Sequence, residues 1–152
     1  MITSSLPPRT RPSKPNRPRR SLLPRWRLKA RYVRVGTIPG SNVVVVARTA
    51  EPSGSASVAE VFGPAEDALN GIQRENFGLL VDVRSAPGRN DAEFEKNFEP
   101  YRRRIQAGFR RVAVVVATQH GKLQVQRYAR EDGLSNAAFD DYQAAVAWLK
   151  QF

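Results

Sequence analysis

Residues 78–95 read GLLVDVRSAPGRNDAEFE. An apolar run ends in Asp82, a loop carrying Arg84, Ser85 and Arg89 follows, and Asn90 or Asp91 opens a helix. A helix start after such a loop can hold an anion or a phosphorylatable side chain, because its free backbone N–H groups lie at the positive end of the helix dipole. A carboxylate at the C-terminal end of a strand lies where α/β sheets keep their ligands. Asp82, Arg84, Ser85, Arg89, Asn90 and Asp91 are therefore the candidate site. Each has a plainer role beside the functional one. Asp82 can accept N–H bonds from its own loop, and Asn90 and Asp91 can cap the helix; Ser85, the only hydroxyl of the loop, is a candidate for phosphorylation but falls six residues before the helix.

The rest of the chain supplies little catalytic chemistry. There is no cysteine and one histidine, His120, so thiolate sites are excluded and a zinc site built from side chains is disfavoured. No nucleophile, base and orienting group can be assembled around one histidine, and no glycine-rich phosphate loop of either standard spacing occurs. The expectation is a non-enzymatic protein with no cofactor and no metal. Apolar runs reach only about six residues against the roughly 20 that a membrane helix needs, which predicts a soluble, cytoplasmic protein without a membrane span.

The net charge of +11 is concentrated at one end. The first 34 residues hold 11 Lys/Arg and no acid, and the remainder holds 14 of each sign. Six of the 11 prolines also fall in this leading segment, which has no sustained apolar period. We read residues 1–28 as a disordered Arg/Pro-rich tail and residues 29–152 as one α/β domain. Three readings of the tail compete. It is an electrostatic arm binding nucleic acid, with Arg17, Arg19, Arg20, Arg25, Trp26 and Arg27 as the contacts. It is a targeting peptide, although it lacks an apolar core and its prolines oppose an amphipathic helix. Or it is an incidental leader from a start site assigned too far upstream, Met1 being the only methionine.

The elements that must position these residues follow from periodicity. Residues 31–36 (RYVRVG) alternate, residues 42–47 (NVVVVA) are largely β-branched, and Pro39-Gly40 lies between them, which predicts a hairpin. From Val58 the apolar positions Val61, Phe62, Ala65, Leu69 and Ile72 recur at helical spacing, with Gly63-Pro64 as a kink or as the true start. A buried strand over 78–83 leads to a helix over 91–107, with Phe94, Phe98, Tyr101 and Ile105 on one face and Pro100 as an expected kink or break. A further strand (111–117), a helix (122–131), an edge strand (137–139) and a helix (142–151) complete the chain, and His120 is expected in a loop. The order β-β-α-β-α-β-α-β-α predicts a mixed sheet whose later strands are parallel and covered on both faces. Arg102, Arg103 and Arg104, with Arg110 and Arg111, form the densest basic cluster outside the tail; a solvated helix face is the plain reading and an anion contact the functional one.

The element order, FRRVAVVV and the terminal FDDYQAAVAWL resemble the STAS domain family, the anti-sigma-factor antagonists and their SpoIIAA-like relatives, over roughly residues 31–151. Counting from Asp82, the resemblance implies that Asp91 occupies the family's phosphoacceptor serine position and Asn90 the preceding Asp, so the phosphorylated hydroxyl is missing. LLVDVRSAPG and VVVATQHG are also similar to response-regulator receivers, with Asp82 and Thr118 in the phosphoacceptor and switch positions, but the acidic pair that would hold Mg²⁺ is absent from RYVRVG and NVVVVA. The STAS resemblance implies a bacterial regulatory module that binds a protein partner, such as a regulatory kinase or a component of a sigma/anti-sigma system, and that could form a homo-oligomer. The competing expectation is a nucleic-acid-associated protein that binds through the basic arm.

Overall fold

The computed structural model describes residues 22–87, 92–133 and 136–151. One six-stranded sheet organises them: β1 (Arg25–Lys29), β2 (Val33–Thr37), β3 (Val43–Arg48), β4 (Gly78–Asp82), β5 (Val112–Val115) and β6 (Asn136–Phe139), lying side by side in chain order. The first three pair antiparallel, and β3 to β6 are parallel. Helices α1 (Val58–Leu69), α2 (Ala92–Gln106) and α3 (Gln119–Asp132) make the crossovers, and α4 (Tyr142–Leu149) follows β6.

Two cores explain why the central strands are apolar at successive positions. Val44 and Val46 of β3, Leu79 of β4 and Val112 and Val114 of β5 turn toward α1 and α2, meeting Val61, Phe62, Ala65, Leu69 and Ile105. Their neighbours Val43, Val45, Leu80, Ala113 and Val115 turn the other way and meet Ala145, Val146 and Leu149 of α4. With period-2 alternation, a strand buried on both faces reads as a continuous hydrophobic run.

The N-terminal boundary differs from the sequence expectation. The tail was expected to run through residue 28, yet Arg25–Lys29 is a strand of the sheet. Its pairing with β2 slips between Trp26 and Leu28. Residues two apart on a regular strand share a face, but here Trp26 packs with the α4 core and Leu28 with the other, because the bulge at Arg27 reverses the side-chain sense. The bulge brings backbone close to Gly36, where a Cβ would lie 2.3 Å from the Arg25 carbonyl oxygen. Arg25, Arg27 and Lys29 remain exposed along this outer strand, as suits an edge that should not recruit another strand.

Helix boundaries also carry corrections. Ser57 caps α1 in a reciprocal box: its hydroxyl accepts the Glu60 N–H at 3.1 Å, and Glu60 accepts the Ser57 N–H at 3.4 Å. The helix therefore starts ahead of Gly63-Pro64. α2 is not divided by Pro100: that residue and Lys96, whose carbonyl loses a helical donor, both face solvent, where water can substitute. α3 begins at Gln119, not 122, because Thr118 accepts the Gly121 N–H at 3.0 Å as its N-cap. His120 accordingly lies in the first helical turn.

Arg74 closes the other end of α2, its Nη1 donating to the carbonyls of Arg104, Ile105 and Ala107. Phe62 of α1 stacks on Phe98 of α2 at 4.7 Å between centroids. The three consecutive arginines diverge, as a 100° step requires. Arg102 is buried against the rings of Phe98 and Tyr128, Arg103 meets Glu99 at 3.1 Å, and Arg104 forks onto Glu66 of α1. The side chain of Phe94 lies outside the described ones.

Candidate functional site

Parallel strands all end at one edge of the sheet. Asp82 closes β4, Thr118 lies just beyond β5, and Asp140 and Asp141 follow β6. Helices α1, α2, α3 and α4, which follow β3, β4, β5 and β6, all start from this edge, so it collects four positive dipole ends. Asp141 serves α4 directly, accepting the N–H groups of Gln143 at 2.9 Å and Ala144 at 3.4 Å. Gln119 donates to Asp140 at 3.1 Å, which ties the α3 start to the end of β6.

Asp82 is mostly enclosed, its side chain keeping 16% of its exposure. One carboxylate oxygen accepts the backbone N–H of Arg84 at 3.1 Å and its Nε at 3.0 Å, and the other accepts Nη2 at 2.9 Å. The loop therefore folds back on the strand end through a two-pronged charged contact. This hydrogen bond holds the Arg84 guanidinium above its ordinary basicity. Ser85 follows at the exposed tip of the same turn, closed by the Ala86 N–H to Val83 carbonyl bond at 3.1 Å.

Tyr142 completes the corner, although by sequence it is only the first residue of a helix. Its ring lies 5.0 Å from the Arg84 guanidinium, and its hydroxyl donates to the carbonyl of Leu22 at 2.7 Å. Burial, with a smaller contribution from the Asp82 charge, pushes the phenol up to about 12. The segment leading into β1 is thus tied to the same corner as Asp82. A tyrosine directly after two acidic residues at a helix start was the available signal, since the first turn of α4 must return toward the strand ends.

Asp82, Arg84 and Ser85 lie together at the end of β4. Arg89, Asn90 and Asp91 lie outside the described residues, as do Arg17, Arg19 and Arg20. Arg25 and Arg27 are exposed on β1, away from this corner, and Trp26 packs against the α4 core rather than standing on a free arm. Thr118 is occupied as a helix cap. Among the described residues no group of three or more His, Cys, Asp or Glu is placed to hold a metal, and no helix is long and apolar enough to cross a membrane.

The sheet order, the single helix on one face and the three crossovers on the other define a SpoIIAA-like α/β fold. Among solved structures, the chain is similar to an uncharacterized protein of the DUF3478 family with a SpoIIAA-like fold, from Shewanella loihica PV-4. The likeness has a TM-score of 0.56 at 14% identity and covers 77% of this chain and 91% of that one. No protein-family model and no curated protein matches the chain.

Proposed function

We propose that this chain is a non-enzymatic interaction module that binds a regulatory protein partner at the corner formed by Asp82, Arg84 and Ser85, extending to Arg89, Asn90 and Asp91. The state of Asp82 carries this reading. Both of its oxygens are engaged by Arg84, so the carboxylate is committed to shaping the loop. A general base or phosphoacceptor needs an accessible oxygen. What the corner offers outward is a shaped rim: the exposed Ser85 turn, half of the Arg84 fork, and Asp140 and Asp141. The SpoIIAA-like fold supports the same reading. With Asp91 in place of a phosphoacceptor serine, the module would carry a fixed charge where its STAS-like counterparts switch theirs, though one charge is weaker than the nearly two of phosphate.

The test is co-precipitation from the native host, with the wild type compared against Ser85→Arg and Arg84→Glu. The proposal expects a protein retained by the wild type and lost from both variants while their melting curves persist. Equal retention by all three would refute it.

The charge distribution supports a second reading, in which the basic arm binds nucleic acid. Because Arg25–Lys29 is a strand, the informative deletion ends at residue 21 and leaves the sheet whole. If DNA and RNA retention in low salt is unchanged by that deletion, the arm reading is lost.

A further inference from the structure

No acidic residue precedes Glu51, so the first three strands and their turns carry arginine and lysine with no carboxylate of their own. Two of these cations find partners elsewhere. Arg31 meets Glu51 at 2.9 Å, and Arg48 donates to the Tyr32 carbonyl at 3.2 Å and lies 5.4 Å from the Phe62 ring centroid. Among the described residues no hydrogen bond or ion pair engages the side chains of Arg25, Arg27, Lys29 or Arg34, and all four are exposed.

Strand register sets two of the four side by side. Leu28 pairs with Val35, and both face the α1 and α2 core, so the next pair, Lys29 and Arg34, turns to the α4 face. Side chains directly opposed on neighbouring strands have Cβ atoms about 4.5–5.5 Å apart, and like charges at that spacing destabilise a sheet. Further across, the same row continues through Ala47 to Asp82. Alanine offers no charge, and both oxygens of Asp82 are held by Arg84. This row therefore leaves the repulsion between Lys29 and Arg34 without an anion to offset it. Two positions along β2, Gly36 pairs with Trp26, which lies on the same face and is only part-buried, so some of its indole stays open to solvent. Residues 1–21, with six more Lys/Arg, join the described chain at Leu22, which packs on this same face.

We propose that the β1–β2 part of the α4 face binds single-stranded nucleic acid, with phosphates at Lys29 and Arg34 and a base against the open part of Trp26. Closely spaced cations without acids, continuous with a basic segment, suit a polyanion. Trp26 selects the single strand, because its bases are free to stack on an aromatic ring, whereas those of a duplex are hidden in their own stack. The proposal rests on the nucleic-acid reading of this chain and adds a folded surface to the arm; it does not depend on the partner proposed at the Asp82 corner.

The test is fluorescence anisotropy of a labelled oligo(dU) with the full chain, repeated over a salt series. In Lys29→Gln/Arg34→Gln the affinity at low salt should fall roughly tenfold or more, and the slope of log affinity against log salt should shrink by about 1.4, the value for two phosphate contacts on a single strand. The urea midpoint of this variant should equal or exceed that of the wild type, since a like-charge pair is removed. Affinity and slope unchanged from the wild type would overturn the proposal; if Arg17→Gln/Arg19→Gln/Arg20→Gln then abolishes binding, the arm reading survives alone. A duplex bound as tightly as oligo(dU) would also overturn it, as would phosphatidylserine vesicles that retain the chain where oligo(dU) does not bind. No binding of any oligonucleotide by the wild type at low salt would overturn both readings.

Discussion

Replacing Tyr142 by Phe tests how the candidate corner is held, because the hydroxyl has two separable effects. Its hydrogen bond to the Leu22 carbonyl at 2.7 Å is partly buried, and losing it should cost about 1 kcal/mol at neutral pH. The second effect depends on pH. The phenol titrates at about 12 in the folded chain, against an ordinary value of 10.0. A raised folded value means that the neutral form is favoured on folding, so the contribution is complete below pH 10. It is lost as pH rises from about 10 to about 12, where the unfolded chain ionises first. Two pH units would correspond to about 2.7 kcal/mol. Tyr142 is only partly buried, and solvent screening reduces this to about 1 kcal/mol. Urea unfolding of both proteins at pH 8, 10 and 11.5 checks the sum. Wild type should exceed Tyr142→Phe by about 1 kcal/mol at pH 8, with the advantage shrinking toward zero at the highest pH. A difference that stays constant across the three conditions would refute the reasoning.

Other consequences are equally open to measurement. Gly36→Ala forces a Cβ onto the Arg25 backbone and should cost about 1–3 kcal/mol in chemical denaturation, whereas Gly63→Ala, with open space around it, should be neutral or stabilising by up to about 1 kcal/mol. Arg74→Met leaves the carbonyls of Arg104 and Ile105 in α2, and of Ala107 just beyond it, without their guanidinium and should lower stability by about 1–2 kcal/mol, read from the same melts. A chain lacking residues 1–21 should unfold at the wild-type denaturant midpoint, but one lacking residues 1–29 should fall by more than about 2 kcal/mol, since it loses β1 and the part-buried Trp26 and Leu28.

Much of the architecture was legible because hydrophobic period and burial coincide. NVVVVA and VAVVVA read as strands covered on both faces, and the stripe from Val58 to Leu69 read as a helix on one of them. β1 was not legible. In RWRLK the two apolar residues are spaced for a single face, but a bulge sends them to opposite cores, and the surrounding charges match the tail that precedes them. Pro100 does not break α2, because whether a proline ends a helix depends on which side of it the residue occupies, which only packing reveals. The place of Asp82 at a strand end was legible, from a carboxylate ending an apolar run. Its engagement by Arg84 depends on a turn two residues long, and the contribution of Tyr142 depends on a hydrogen bond to Leu22, 120 positions away in the chain. No local pattern encodes that contact.

The central claim is that the Asp82 corner is a surface for a protein partner. A photo-crosslinking amino acid placed at Ser85, with a second placed at Gln73 as a control, tests it inside the native host. The account predicts a discrete protein adduct from position 85 that is lost when Arg84→Glu is added, and none from position 73. Adducts of equal yield from both positions, or none from position 85 under conditions where the protein is folded and expressed, would contradict it.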